Sequence, residues 1–219
     1  MIMILTLLPL ALQEEARREW EGFTADSRVV LRITESDGEK QKTTIVRYTI
    51  VKVESDSVTV QQEIPGSTKE IPNPLKRDEA LRKVGTESVD IDGKTFECAL
   101  YEKVADIPGG KRTIRQWMHK DVPGRIAKRE LVNKTDKGEL RTVERVTRLN
   151  QRLQLGSKAI TYAVYELDGQ DDQGRAAKAV RWISEQVPGF LVKEEAKVRR
   201  EGSPKELVRV TELVEFEVK

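Results

Sequence analysis

Residues 182–195 read WISEQVPGFLVKEE, and residues 117–130 read WMHKDVPGRIAKRE. Each stretch has a tryptophan, then Val-Pro-Gly, then a lysine and a glutamate at the same spacing, so the two match at an offset of 65 residues. Proline fixes φ and glycine permits a tight reversal, so each Val-Pro-Gly predicts a turn between two strands. The stretches therefore indicate two related β units in one chain.

Two further matches extend this repeat. The segment FECALYE at 96–102 corresponds to ITYAVYE at 160–166, and Arg-Val-Thr with a following leucine recurs at 145–149 and 209–213, both at an offset of 64 residues. Insertions and deletions are confined to segments rich in turn residues. We predict a first β repeat over 85–150 and a second over 151–219. The first has four strands near 95–104, 112–120, 125–134 and 139–149, and the second has their counterparts.

The preceding residues, 14–84, read as a strand meander and a linker. Apolar and polar residues alternate from 29 to 34 and from 58 to 64, and 44–53 is a β-branched run, TIVRYTIVKV. The pattern lapses between 65 and 84, where three prolines and a candidate helix at 77–83 indicate a boundary. Another short helix is predicted at 14–20. The fold class is mainly β, with roughly eleven strands in a large curved antiparallel sheet or open half-barrel containing a tandem duplication and one or two short helices.

Residues 1–13 are predicted to be a signal peptide. The uncharged run IMILTLLPLAL at 2–12 has the length of a signal-peptide core and is too short for the ~20 residues of a membrane-spanning helix. No lysine or arginine precedes the run, so a buried N-terminal strand or helix is the alternative. The segment favours an extracytoplasmic location, periplasmic or secreted, without a stable membrane span.

Composition restricts the classes of function. The 219 residues include 39 Lys+Arg and 37 Asp+Glu, a net charge of +2 with both signs interspersed, which argues against nucleic acid as a partner. Cys98 is the single cysteine, so an internal disulfide and a cysteine-based zinc site are excluded, although its role stays open. His119 is the single histidine and is expected on an exposed strand. No catalytic or cofactor motif occurs, so we expect no enzyme, no cofactor and no metal site.

Four aromatic residues are the candidate ligand-binding residues: Tyr101, Trp117, Tyr165 and Trp182. They occupy equivalent positions in the two repeats, Tyr101 with Tyr165 and Trp117 with Trp182. They could line a cavity for an apolar ligand, or they could form the core of two related sheet segments. The sequence leaves both interpretations open.

Several segments carry a resemblance to known proteins. The Trp-x4-Val-Pro-Gly repeats, the opening WEGF at 20–23 and DGKTFEC at 92–98 resemble segments of uncharacterised secreted bacterial proteins. More distantly, the strand and turn pattern is similar to the periplasmic lipoprotein-carrier superfamily, in which a curved antiparallel sheet wraps around helices and shelters acyl chains. The resemblance implies an extracytoplasmic, non-enzymatic binding module for a lipid or another apolar ligand. The alternative is a structural or interaction protein of the cell envelope, with an envelope protein as its partner; the oligomeric state is not indicated.

Overall fold

The computed structural model describes residues 19–74, 81–136, 138–172, 176–199 and 206–219. The strands, in chain order, are β1 Arg28–Ser36, β2 Gln41–Val53, β3 Ser57–Ile64, β4 Ser67–Pro74, β5 Arg82–Ile91, β6 Lys94–Ile107, β7 Gly110–Met118, β8 Ile126–Thr135, β9 Gly138–Leu155, β10 Lys158–Asp171, β11 Ala176–Ile183, β12 Leu191–Arg199 and β13 Glu206–Glu217. All of them join one antiparallel sheet. The predicted fold class is confirmed: the protein is mainly β, with a large, curved, open antiparallel sheet.

The chain builds this sheet in two runs of adjacent strands. The sheet order is β4-β3-β2-β1-β13-β12-β11-β10-β9-β8-β7-β6-β5. The first run, β1 to β4, proceeds outward to one edge. The second run starts at the opposite edge with β5 and returns until β13 pairs with β1. The first strand and the last strand therefore meet in the middle of the sheet.

Covalent geometry requires this sheet to curve strongly. Thirteen strands spaced ~4.8 Å apart would span about 58 Å if the sheet were flat. The two edge strands end and begin at Pro74 and Arg82, and eight residue steps cover at most about 29 Å. The edges must therefore lie within about half of the flat width. In agreement, β5 also contacts β8 and β9.

The strand count differs from the sequence prediction, because β4 and the start of β5 lie in the region 65–84 that the prolines had marked as a boundary. β4 pairs with β3 alone and forms one edge of the sheet. A proline such as Pro72 is tolerated in an edge strand, where an absent N–H need not remove a ladder hydrogen bond. Proline content therefore indicated a linker where the chain forms an edge strand.

The helical predictions are not supported where they can be compared. Arg82 and Lys83, expected at the end of a helix, begin β5 instead, and Glu19 and Trp20 lie in a turn. The other residues of the two predicted helices, 14–18 and 77–80, lie outside the described residues, as does the predicted signal peptide at 1–13. Within the described ranges, the helical structure consists of one 3₁₀ turn, Pro123–Arg125.

Two apolar clusters form most of the core. The first joins β1, β2, β3, β12 and β13 to the N-terminal strap, which we define as residues 19–27, through Trp20 and Phe23. Gly189 N–H donates to the Glu19 carbonyl at 2.9 Å, and Asp26 N–H donates to the Ile50 carbonyl at 2.8 Å, so the strap is fastened at both ends. The second cluster contains Ile91, Cys98, Leu100, Trp117, Val122, Ala127, Val146, Ala163 and Tyr165.

The two Val-Pro-Gly turns have the same backbone geometry. In the first turn, which joins β7 to β8, His119 and Arg125 are joined by an N–H to carbonyl hydrogen bond of 2.9 Å. In the second turn, between β11 and β12, Ser184 and Phe190 are joined in the same way at 2.8 Å. The glycines of both turns have positive φ, 66° and 75°, which is the conformation that favours glycine.

The strands around these turns also correspond. Trp117 lies in the second strand of β6–β9, opposite Leu100 and Lys128. Trp182 lies in the second strand of β10–β13, opposite Val164 and Lys193. These pairings follow the offset of the sequence repeat. The tandem duplication with its boundaries at 85–150 and 151–219 stays a prediction.

Candidate functional site

The register aligns side chains across nine neighbouring strands on one face of the sheet, because directly opposed residues of paired strands share a face. This alignment, which we call the central row, consists of Tyr101, Gln116, Arg129, Glu144, Leu167, Ala179, Ala196, Arg209 and Glu35. A second row, two residues along each strand, consists of Tyr165, Arg181, Glu194, Thr211 and Ile33. The same face carries Leu31 and Leu213 of the first core cluster, so we call it the inner face.

A network of ion pairs crosses this face from β8 to β12. Arg129 Nη2 binds Glu144 Oε2, and Arg181 Nη1 lies 3.3 Å from Glu144 Oε1. Arg181 Nε donates to Glu194 Oε2 at 2.6 Å. All four side chains are largely buried, so water screens their attraction less than it does on a surface. We call Arg129, Glu144, Arg181 and Glu194 the charged network.

The network changes the ionisation of Glu144. Burial would raise the pKa of Glu144, but the charges of Arg129 and Arg181 outweigh it and hold that pKa below its ordinary value. Glu19 of the strap adds a third carboxyl group. Burial is the main cause that raises the pKa of Glu19 from 4.5 to about 7; Arg181 lowers it, and Glu144 and Glu194 raise it further.

The centre of the inner face is apolar and made largely of small side chains. Leu167, Ala179 and Ala196 lie opposite one another on β10, β11 and β12 and form a separate buried cluster, which we call the apolar floor. Gly169 and Ala177, the next opposed pair on the same face, continue the small side chains along the strands. The charged network borders the floor on one side and Arg209 borders it on the other.

Two buried polar atoms at the β13 side of the floor lack hydrogen-bond partners among the described residues. They are Nε of Arg209, opposite Ala196, and Oγ1 of Thr211, opposite Glu194. Thr211 is only 2% exposed. Buried polar groups in folded proteins are nearly always hydrogen-bonded, so an unpaired cluster of this kind indicates a place where a further group can bind.

Two of the four aromatic candidates lie on the inner face. Tyr101 is half-buried at the β6 end of the central row. Tyr165 is 7% exposed and belongs to the second core cluster, where its hydroxyl donates to the Pro123 carbonyl of the first turn. Burial is the main cause that raises the pKa of Tyr165, so the phenol stays protonated.

The two tryptophans project from the opposite face, since they neighbour Gln116 and Arg181 along their strands. Trp117 is 5% exposed, its Nε1 donates to Glu87 Oε2 at 2.7 Å, and Lys128 Nζ lies 4.2 Å from its ring centroid. Trp182 is partly buried against the first core cluster, with Lys193 Nζ 5.2 Å from its ring centroid. Trp117 and Tyr165 belong to the second core cluster and Trp182 packs against the first, and contact of the four aromatics with a ligand stays a prediction.

Sequence reasoning missed the charged network, although the repeat contained a signal for it. At the offset of 65 residues, Gln116 corresponds to Arg181 and Arg129 corresponds to Glu194. The second repeat thus has a new cation and a reversed charge on positions that the register places on the inner face. Such a difference in charge between two related units indicates that side chains of one unit can form ion pairs with side chains of the other, as Arg181 does with Glu144.

The single histidine, His119, and the single cysteine, Cys98, both contact other residues of the protein. His119 lies just after β7 instead of on an exposed strand; it is half-buried, its ring is 5.1 Å from that of Phe96, and its Nδ1 accepts from Asp121 N–H at 3.2 Å. Cys98 is fully buried in the second core cluster, and burial raises the pKa of its thiol.

The helical structure within the described ranges includes no helix that is long and apolar enough to cross a membrane.

No protein-family model matches the chain, and no curated protein matches it. Its fold is similar to that of a candidate lipoprotein from Parabacteroides distasonis, with 10% identity, a TM-score of 0.41, and coverage of 89% of this chain and 96% of the other. A candidate exported protein with a YmcC-like fold from Bacteroides fragilis has 10% identity and a TM-score of 0.41 over 89% and 97%. A candidate outer-membrane lipoprotein-sorting protein domain from Vibrio parahaemolyticus has 11% identity and a TM-score of 0.40 over 96% and 92%. At these identities and scores, the chain is not assigned to the family of any of the three.

Proposed function

We propose that this chain is an extracytoplasmic, non-enzymatic binding module that holds a lipid or another apolar ligand on the inner face of its curved sheet. One observation carries the proposal: the apolar floor of Leu167, Ala179 and Ala196 lies in the middle of that face with charged side chains on both sides. Alanine ends at Cβ, whereas Glu144 and Arg209 extend several atoms further, so charged side chains rise above the floor on both sides. An apolar base with a few polar groups around it is typical of a ligand site.

Core side chains fill both ends of the inner face, so we place the ligand at its centre. At one end, Trp20 and Phe23 of the strap pack into the first core cluster. At the other end, Tyr165 and Val122 of the first turn belong to the second core cluster. Large side chains of the protein therefore occupy both ends, and the apolar floor with the charged network beside it lies between them.

The charged network supports a non-enzymatic role. Its arginines and glutamates bind one another, so their charges are compensated within the protein instead of facing a reacting group. The proposed location rests on the apolar run at 2–12, whose length and composition are those of a signal-peptide core.

A large side chain on the apolar floor tests the proposal. Ala179→Phe places a large ring on the apolar floor and should weaken binding of dansyl-labelled undecanoic acid at least tenfold, measured by fluorescence titration. Ala159→Phe is the matched control, because Ala159 is exposed on β10, and it should leave the affinity unchanged. Circular dichroism of both variants should retain the strand signal of the unaltered chain.

Native mass spectrometry of the protein purified from its own envelope provides the second measurement, and a lipid mass on the intact protein is the expected result. Absence of a bound lipid, together with absence of probe binding, would contradict the proposal. That outcome would favour the alternative, a structural or interaction protein of the envelope. The burial of Tyr165 on the inner face favours this alternative, because such a protein fills its concavity with its own side chains.

A further inference from the structure

We infer that the ligand is an anionic amphiphile, whose carboxylate or phosphate group binds Arg209 and Thr211 while its apolar chain lies on the floor of Leu167, Ala179 and Ala196. The inference rests on the proposed function and specifies the ligand class for the same site. It is carried by the position of two unpaired polar side chains beside an apolar surface.

Arg209 differs from the other two arginines of the two rows. Arg129 and Arg181 each bind a buried carboxylate, whereas Arg209 forms no ion pair with a described residue. Glu35 lies opposite Arg209 on β1 and shares the inner face, but the two side chains form no ion pair. Its buried Nε also lacks a partner, although an unsatisfied buried donor costs roughly 1–3 kcal/mol. An external anion would supply both the missing charge and the missing acceptor.

Thr211 places a hydroxyl group next to this guanidinium. It lies two residues from Arg209 on β13 and therefore on the same face. Its partner across the ladder, Glu194, already accepts from Arg181, and Thr211 Oγ1 has no hydrogen bond within the described residues. The hydroxyl is thus available to donate to an anion bound by Arg209.

The guanidinium of Arg209 and the hydroxyl of Thr211 thus lie side by side on β13. A guanidinium with an adjacent hydroxyl group matches a carboxylate or phosphate, whose oxygens accept several hydrogen bonds at once.

The position of these donors decides between a free anion and an amphiphile. Arg209 lies directly opposite Ala196, the last member of the apolar floor. A ligand that satisfies both surfaces needs an anionic head joined to an apolar chain. Acetate or inorganic phosphate would use only the polar half of the site.

The test compares dansyl-labelled undecanoic acid with its methyl ester, which has the same chain without the charge. The acid should bind at least tenfold more tightly than the ester. Arg209→Gln should remove most of this difference by weakening the acid and leaving the ester unchanged. Arg32→Gln is the control for net charge, because Arg32 is exposed on β1 and pairs with Glu212 at 4.0 Å; it should preserve the preference for the acid.

Thr211→Val separates a ligand contact from a structural role. The variant keeps the shape of the side chain and removes an unpaired hydroxyl group, so its thermal midpoint should stay the same or rise while the affinity for the acid falls several-fold. A fall in the midpoint without a change in affinity would overturn the role of Thr211.

Three outcomes decide the whole inference. Equal binding of acid and ester contradicts it while leaving the proposed function intact. Binding of neither probe contradicts the proposed function itself. Competition by acetate or inorganic phosphate at the same concentrations as the acid would show a site for small anions and would overturn the amphiphile.

Discussion

At the scale of single residues, Glu19 links the N-terminal strap to the charged network. It brings a third carboxyl group to a region where Arg181 already binds Glu144 and Glu194. Since two arginines face three carboxyl groups, one proton is most readily retained by Glu19, the least compensated of them. Burial is the main cause of its raised pKa, and the charges of Glu144 and Glu194 raise it further.

The stability of the folded protein should therefore depend on Glu19 in one pH range. The pKa of Glu19 is about 7 in the folded protein against an ordinary value of 4.5, so the folded state binds more protons between these values. Its contribution to the free energy of unfolding is fully present below pH 4.5 and is lost as the pH rises through 7. Glu19→Gln should remove this loss and raise the urea midpoint at pH 8 relative to the unaltered chain.

The comparison at pH 4 provides the control, because there the carboxyl group and the amide are both uncharged and the two proteins should unfold at similar urea concentrations. A Glu19→Gln variant that is less stable at pH 8 would contradict the prediction. The opposite behaviour belongs to Glu144, whose lowered pKa gives a contribution that is present above its ordinary value and lost in acid.

The two tryptophans should differ in their contribution to stability. Trp117 is 5% exposed inside a core cluster, so Trp117→Ala should cost roughly 3–5 kcal/mol in the free energy of unfolding. Trp182 is less completely buried, so Trp182→Ala should cost less. Urea denaturation measures both. If Trp182 instead lines the ligand site, its replacement should weaken probe binding with little change in the midpoint, and this result would support the sequence-based assignment.

At the scale of elements, the two Val-Pro-Gly turns have one geometry in two environments. A Cβ added at Gly124 would meet open space, whereas one added at Gly189 would lie 2.9 Å from Cζ2 of Trp20. Both glycines have positive φ, which other residues rarely adopt. The second turn therefore has an additional constraint, which comes from the strap packed against it.

Gly189→Ala should accordingly destabilise the protein more than Gly124→Ala. The positive φ alone costs an alanine about 1–2 kcal/mol, and this applies to both turns. Only Gly189→Ala also displaces Trp20, so it alone should alter the tryptophan emission of the folded state. Equal losses of stability with unchanged emission in both variants would show that the strap does not rest on the second turn.

Much of this element structure was predictable from local pattern. β1 to β3 follow the alternation of apolar and polar residues, and Val-Pro-Gly marked both turns. β4 and β5 were missed because prolines signal a linker and an edge strand alike. The pairs Arg129 with Glu144 and Arg181 with Glu194 were not predicted, because the repeat shows only that charges differ at equivalent positions, whereas the face on which they lie depends on the register between strands.

At the scale of the whole molecule, the open sheet combines two filled ends with an apolar centre of mostly small side chains, which charged side chains border. Its curvature follows from the short connection between β4 and β5, and the curvature makes the inner face crowded enough to bury ionised side chains. The sequence predicted the curved antiparallel sheet from strand number and turn spacing. It did not predict the apolar floor, because alanine and glycine carry little signal when read along one strand.

The meeting of β1 and β13 in the middle of this sheet has a consequence for how the protein is made. β1 is synthesised first among the strands, yet one of its two ladders joins residues such as Arg28 and Glu217 that are far apart in the chain. Contacts of such separation form slowly, since a long chain must close before they are gained. The sheet therefore remains in two unjoined parts until β13 has left the ribosome.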